Sequence, residues 1–207
     1  MKKSSLIIGI GATLLAICTA LDYFEVQRDV DMQFIFWYVP MGIIAIGIAW
    51  GFFSKDFSLP QNIFAIAYLL PALVLVIFFS TYALGLFRYI SNKEWLGIFR
   101  QFTLVFMVLS LCLFVMCAKG WQSKIIGTLF LIYWILALSG MILSYSLFYD
   151  YPAVDFLYMF TKYIRRPGFS IAGQFHYQCI AGSLFLGSAW LAFCAFTNRL
   201  LKNGVTK

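Results

Sequence analysis

Charged residues are absent from six long stretches of the chain, which follow one another from near residue 5 to near residue 197. Each stretch is close to, or longer than, the roughly 20 apolar residues that one helical crossing of a bilayer requires. Each is expected to be helical, because in hydrocarbon every backbone N–H and C=O must be paired within the segment. The pattern predicts an all-α fold, a polytopic membrane helix bundle with six transmembrane helices in one integral membrane domain, residues 1–207. The predicted spans are about 5–21, 34–53, 63–87, 102–118, 125–149 and 171–197.

The composition agrees with this pattern. The chain is 63% hydrophobic and 11% charged, and a water-soluble domain could not cover its surface with so few polar groups. The net charge of +7 comes from residues at helix ends and in short loops, where Lys and Arg usually set membrane topology. The expected surroundings are a lipid bilayer, and no nucleic-acid partner is predicted.

The distribution of basic residues predicts the orientation. Six crossings bring both termini to one side, and Lys2 and Lys3 directly precede the first span. Basic residues stay on the cytoplasmic side of a membrane, so both termini are predicted to be cytoplasmic. The start is also similar to a secretory signal, and we interpret it as an uncleaved first span. The short loops and the lysine-led start favour a bacterial cytoplasmic (inner) membrane.

Small residues recur at four-residue spacing on two of the predicted helices. Ala12, Ala16 and Ala20 share one face of helix 1, and Gly47 and Gly51 form a GxxxG in helix 2. Such faces let helix backbones approach closely in lipid. They predict either packing within the bundle or an interface with another membrane subunit or a second copy. Over its three residues, the alanine face is similar to helix 1 of the substrate-binding subunits of energy-coupling-factor vitamin transporters. The similarity implies docking on another subunit and covers no more of the chain.

Several chemistries find no support in the sequence. No Asp, Glu, Lys or Arg lies inside a predicted span, whereas pumps and ion-coupled carriers usually place ionisable groups at mid-membrane. The chain has one histidine, His176, so it cannot supply a multi-histidine metal or haem site alone. No cofactor and no metal are predicted. Pro40 and Pro71 fall inside helices 2 and 3, where two kinks can frame a cavity.

The loop after helix 5 and the start of helix 6 carry the densest polar residues. Residues 153–164 are predicted to form an interfacial helix with aromatic side chains at headgroup depth. These residues either anchor the loop at the membrane surface, which is the favoured interpretation, or bind an anionic lipid headgroup, because guanidinium groups suit phosphate. The candidate headgroup-binding residues are Lys162, Arg165, Arg166, Gln174 and Gln178. The weak candidates for catalysis are Asp150, Asp155 and His176.

Three functions remain open at this stage. The favoured hypothesis is a non-catalytic membrane subunit or accessory protein of a larger complex, of the transport, assembly or immunity type. The second is a solute-binding or channel component with an enclosed pocket lined by residues such as Trp37, Tyr38, Tyr68 and Gln178. The third is a membrane enzyme that acts on a lipid headgroup through the loop 150–178. The absence of a recognisable catalytic constellation makes an enzyme the less favoured class.

Overall fold

All regular structure in the described part of the chain is helical. The computed structural model describes residues 2–23, 30–83, 93–146 and 171–201, which contain six helices and no strand. The helices are α1 (Lys3–Tyr23), α2 (Val30–Phe53), α3 (Leu59–Ala83), α4 (Lys93–Met116), α5 (Trp121–Ser146) and α6 (Ile171–Phe196). The predicted interfacial helix at 153–164 lies outside the described residues.

The helices correspond one to one with the predicted spans, but their ends differ. The helix α4 begins at Lys93, nine residues before the predicted start at 102, and so includes Glu94 and Arg100. Hydropathy marks the part of a helix that suits lipid, whereas the backbone hydrogen bonds that define a helix continue into polar residues. The start of α3 has a local cause. The Ser58 backbone N–H donates to Oε1 of Gln61 at 2.9 Å, which is the backbone half of a capping box.

The six helices form a closed ring in chain order. Each helix packs on the next along the chain, and α1 completes the ring through its largest interface, which is with α6. The helix α4 also reaches α6 across the ring, while α2 and α3 touch each other least among consecutive pairs. One continuous apolar core fills the described interior, and Ile8, Ile44, Tyr68, Phe114 and Leu184 are fully buried in it. The loose α2–α3 pair is the exception to this close packing.

The α1–α2 contact depends on two glycines that face each other's helix. A Cβ at Gly47 would lie 2.8 Å from the backbone nitrogen of Ile8, and a Cβ at Gly11 would lie 2.9 Å from that of Ile44. Real Cβ atoms do not come this close to a backbone atom. The two helices therefore approach each other as closely as glycine allows, a packing mode common between membrane helices.

Apolar side chains also cover the outside of the helices. Two described stretches, Lys3–Leu21 and Leu59–Ile77, are long and apolar enough to cross a membrane. Shorter apolar stretches are Tyr38–Phe53, Phe106–Met116 and Gly182–Phe196. The helical fold is thus established for the described residues, and two apolar helices give a weak indication of a membrane protein. The six-span arrangement stays a prediction.

Candidate functional site

The described parts nearest both termini and two tight turns meet at one end of the bundle, which we call the basic end (residues 2–5, 54–58, 117–124 and 197–201). Ser5 donates its hydroxyl to the Ala195 carbonyl at 2.5 Å, joining α1 to α6. Gln61 donates to the Leu200 carbonyl at 2.7 Å. The backbone N–H of Lys119 donates to the Arg199 carbonyl at 2.9 Å. The residues after α6 are thereby fixed to α3 and to the α4–α5 turn.

A buried carboxylate joins the first residues of the chain to the α2–α3 turn. Lys2 Nζ lies 2.5 Å from Asp56 Oδ1, and the Ser4 hydroxyl donates to Asp56 Oδ2 at 2.8 Å. Asp56 is buried, whereas half of the Lys2 side chain is exposed. Both carboxylate oxygens are engaged inside the chain, so this cluster is built to hold two segments together.

The turn that carries Asp56 is a helix cap with an unusual residue. The Lys55 N–H donates to the Phe52 carbonyl and the Asp56 N–H to the Gly51 carbonyl, which is the Schellman pattern. Lys55 has a φ of 56°, in the left-handed region that favours glycine. The same pattern ends α6, with Asn198 in the left-handed position. Lys55 is thus held in an exposed position at the end of α2.

The basic end has a strong excess of positive charge. Its described charged residues are one acid, Asp56, and six bases, Lys2, Lys3, Lys55, Lys119, Lys124 and Arg199. The single acid is paired with Lys2. Two of the bases contact aromatic rings, with Lys3 5.9 Å from the Trp50 ring centroid and Arg199 5.0 Å from that of Phe193. Basic residues beside exposed aromatic rings are typical of a membrane–water interface.

A groove opens between α2 and α3, where the two helices touch least. Its volume is about 780 Å³, and apolar side chains such as Ile46, Phe53, Leu70 and Val76 line it. On α2 it runs from Tyr38 to Phe53, a length of about 22 Å at 1.5 Å per residue. On α2 the lining ends at Phe53, two residues before Lys55, so the groove reaches the basic end along α2, whereas on α3 the lining begins at Ile66.

The groove differs from the predicted enclosed pocket. Tyr38 lines it, but Tyr68 lies inside the core, where its hydroxyl donates to the Met41 carbonyl at 3.1 Å. The side chains of Trp37 and Gln178 lie outside the described part. Both groove helices contain the predicted internal prolines, Pro40 and Pro71. The groove offers hydrocarbon contacts along its length and suits an apolar ligand.

The remaining buried polar groups serve mainly as links within and between helices. Thr19, Ser110 and Ser188 return their hydroxyls to carbonyls of their own helices. Trp190 Nε1 on α6 donates to the Ser123 hydroxyl on α5 at 3.1 Å. Among the described residues, no group of three His, Cys, Asp or Glu side chains is placed to hold a metal ion.

The predicted headgroup and catalytic residues fall mainly outside the description. Asp150, Asp155, Lys162, Arg165 and Arg166 lie outside the described residues. Gln174, His176 and Gln178 lie within the first two turns of α6, which begins at Ile171 as predicted, and their side chains are outside the described part. The site predicted in this loop stays a prediction.

The small-residue faces lie against other helices of the same chain. Ala12 and Ala16 are buried, and Ala20 is partly buried. Gly47 faces Ile8 of α1, and Gly51 faces the ring of Phe57. In this structure these residues pack the bundle internally, and a partner would meet other surfaces.

Comparison with known proteins yields no relative. The chain matches no protein-family model, no curated protein and no solved structure. The candidate site is therefore defined by its own geometry, as the apolar groove and the basic end that it reaches. In the sequence, Lys55 and Asp56 are simply charges in the short loop after helix 2. The Ser58–Gln61 capping pair was a local signal that α3 starts at Leu59 and so keeps this turn short.

Proposed function

We propose that the chain is an integral protein of a bacterial cytoplasmic membrane, with six crossings, that serves as a non-catalytic subunit or accessory protein of a membrane complex. The observation that carries the proposal is the apolar outer surface of the bundle. Only 28% of the Leu59–Ile77 stretch is buried, so this very apolar helix is not a core helix of the described bundle. Its most exposed large side chains are Leu59, Ile63, Leu70, Leu73 and Val76.

The other helices have the same outward face. On α1 a regular stripe of exposed side chains consists of Leu6, Ile10, Leu14, Ile17 and Leu21. Exposed large apolar side chains also occur on α2, α4, α5 and α6. Soluble monomers rarely expose contiguous apolar patches of more than a few hundred Å². A hydrocarbon environment around the ring accounts for this surface on all six helices.

The hydrogen bonds of the described interior polar groups support the non-catalytic part of the proposal. The described interior hydroxyls bond mainly to helix carbonyls, and the charged cluster of Lys2, Ser4 and Asp56 is satisfied within itself. A catalytic site needs polar groups that converge on space for a substrate. The groove between α2 and α3 is an open space among the described residues, and its lining is almost entirely apolar. A role in assembly or binding fits this arrangement better than a chemical reaction.

The experiment that tests the proposal has two stages, which address location and association separately. Native membranes are first washed with alkaline carbonate, which removes peripheral proteins, and the chain is expected to stay in the pellet. The protein is then purified in mild detergent, and co-migrating proteins are identified by mass spectrometry. A stoichiometric membrane partner, or a second copy, is the expected result.

Each stage has an outcome that contradicts its part of the proposal. Release by carbonate contradicts membrane integration. A lone monomer that turns over a lipid substrate contradicts the non-catalytic role and favours the headgroup enzyme. The matched control is a membrane protein from the same source, of similar size and purified in the same detergent, which reports the non-specific background.

A further inference from the structure

We propose that the α2–α3 groove binds one acyl chain of an anionic phospholipid, with the lipid phosphate at Lys55. The inference rests on the proposed membrane location, because the groove opens on the surface that would face lipid. The site does not use Arg165 and Arg166 of the predicted headgroup site. It is built from residues of α2 and α3 with Met107 of α4, and from Lys55 in the turn after α2.

The groove is long and narrow, as a hydrocarbon chain requires. It runs about 22 Å along α2 and has a volume of about 780 Å³. The groove is also longer than the roughly 15 Å half-thickness of a bilayer core. An acyl chain that enters at the Lys55 end would contact the protein over its whole length.

The lining chemistry suits the same occupant. The groove walls are aliphatic and aromatic, including Val39, Ile46, Phe53, Leu73 and Val76. These five side chains are more than half exposed in the protein alone, between 52% for Val39 and 79% for Phe53. An apolar chain that lies among them makes many dispersion contacts and needs no polar partner until it reaches the end of the groove.

Charge at the end of the groove decides the class of lipid. Lys55 is exposed two residues beyond Phe53, in a backbone position fixed by the helix cap. The basic end around it has six bases against one paired acid. A phosphate whose headgroup adds no compensating cation is therefore favoured over a zwitterionic lipid. Phosphatidylglycerol is such a lipid, and phosphatidylcholine is the zwitterionic reference.

Two glycines provide a matched pair of variants. Gly42 lies on the groove, and a Cβ added there meets no atom within 4 Å. Gly182 on α6 is equally open but is not part of the groove lining. Gly42→Leu should therefore obstruct the groove at this point without displacing the backbone, and Gly182→Leu adds the same side chain elsewhere.

A second pair of variants addresses the charge. Lys55→Asn removes the positive charge and keeps a residue type that tolerates the left-handed backbone. Lys124→Gln removes an exposed charge from α5 at the same end of the bundle. The thermal unfolding midpoints of all four variants are measured in detergent, to show that each one is folded.

The full chain is reconstituted in nanodiscs of equal phosphatidylglycerol and phosphatidylcholine and then released in a native mass spectrometer. The wild type is expected to retain one lipid, with about fivefold preference for phosphatidylglycerol, the effect of one surface lysine. Gly42→Leu should lose the retained lipid, whereas Gly182→Leu should keep it. Lys55→Asn should keep a lipid but lose the preference, and Lys124→Gln should resemble the wild type.

The contrary results are equally specific. Equal lipid retention by Gly42→Leu and Gly182→Leu overturns the site, as does a wild type that retains none. If Gly42→Leu does not fold, the proposal is contradicted when Lys55→Asn keeps the wild-type preference for phosphatidylglycerol. A second copy or a small membrane protein, retained by the wild type and lost in Gly42→Leu, would assign the groove to a helix. A chain that does not enter nanodiscs contradicts the membrane location as well. A chain that enters nanodiscs but retains no lipid on release contradicts only this inference.

Discussion

Asp56 illustrates how a charged side chain is accommodated in a protein of this composition. Its carboxylate is buried, and its oxygens are bound by the Lys2 ammonium and the Ser4 hydroxyl. A buried charge costs free energy unless it is paired and hydrogen-bonded. Here both conditions are met by residues from the first turn of the chain, so the carboxylate and the N-terminal segment depend on each other.

Replacing Asp56 tests that dependence. Asp56→Asn should lower the free energy of unfolding by about 1.5–3 kcal/mol, because hydrogen bonds to a charged group are lost. Lys2→Gln should cost less, below about 1 kcal/mol, because the Lys2 side chain is half exposed to solvent. The measurement is a denaturant titration in detergent micelles. The variant with both substitutions completes a double-mutant cycle. Additive effects of the two substitutions would mean that the ion pair contributes nothing.

At the scale of helices, the α1–α2 pair shows how small residues are used. Gly11 and Gly47 each face a backbone nitrogen of the other helix, so the contact is reciprocal. Backbone atoms cannot move aside as a flexible side chain can. An added methyl group at either glycine would therefore force the two helices apart.

A comparison of two glycines on α2 measures this cost. Gly47→Ala should destabilise the protein by about 1–3 kcal/mol, because the methyl group overpacks the α1 interface. Gly42→Ala adds the same methyl group to open space and should be neutral or stabilising by up to about 1 kcal/mol. Thermal unfolding of both variants in the same detergent is the measurement. If both variants unfold at the same temperature, the close approach of α1 and α2 is not needed for stability.

The helices were predictable, whereas their ends were not. Absence of charge located all six, because a run of about 20 apolar residues has few alternatives to a helix. The early start of α4 at Lys93 was missed, because its first turns contain charged residues that hydropathy assigns to a loop. The bounds of α3 depend instead on a capping pair, Ser58 and Gln61. Polar hydrogen bonding, not hydropathy, sets these boundaries.

The candidate site was harder to predict, because it depends on contacts between distant parts of the chain. Pro40 and Pro71 suggested that kinked helices could frame an enclosed cavity, whereas the space between α2 and α3 is an open groove. The pairing of Lys2 with Asp56 spans 54 positions and has no local signal. Residue type also does not reveal that Lys55 has a left-handed backbone. These features follow from how the helices meet, which a single sequence does not specify.

At the scale of the whole molecule, the described charges make one end of the bundle basic, and this charge bears on the orientation of the protein. Interactions among residues 2–5, 54–61, 119 and 195–200 bring the described parts of both termini to that end. The positive-inside rule predicts that such an end faces the cytoplasm. The predicted orientation and the proposed lipid site then share one membrane surface.

Reporter fusions test this orientation. A green fluorescent protein fused after Lys207 should fluoresce, and alkaline phosphatase at the same position should be inactive, since each reporter matures on one side of the membrane only. The paired control places both reporters after Ala83, where α3 ends at the opposite end of the bundle, and should give the reverse result. An active phosphatase after Lys207 would show that the basic end faces outward.

The closed ring has a consequence for biosynthesis. The helix α1 leaves the ribosome first, yet its largest interface is with α6, the last described helix of the chain. About 150 residues separate Tyr23 from Ile171, which at roughly 5–20 residues per second is a delay of roughly 7–30 s. During that interval α2 is the only described neighbour of α1 in the ring already made, and Gly11 and Gly47 allow these two helices to pack closely before α6 exists. Until α6 has been made, the Ser5 hydroxyl lacks its Ala195 acceptor and one side of α1 is uncovered, so the ring closes only after the last described helix is complete.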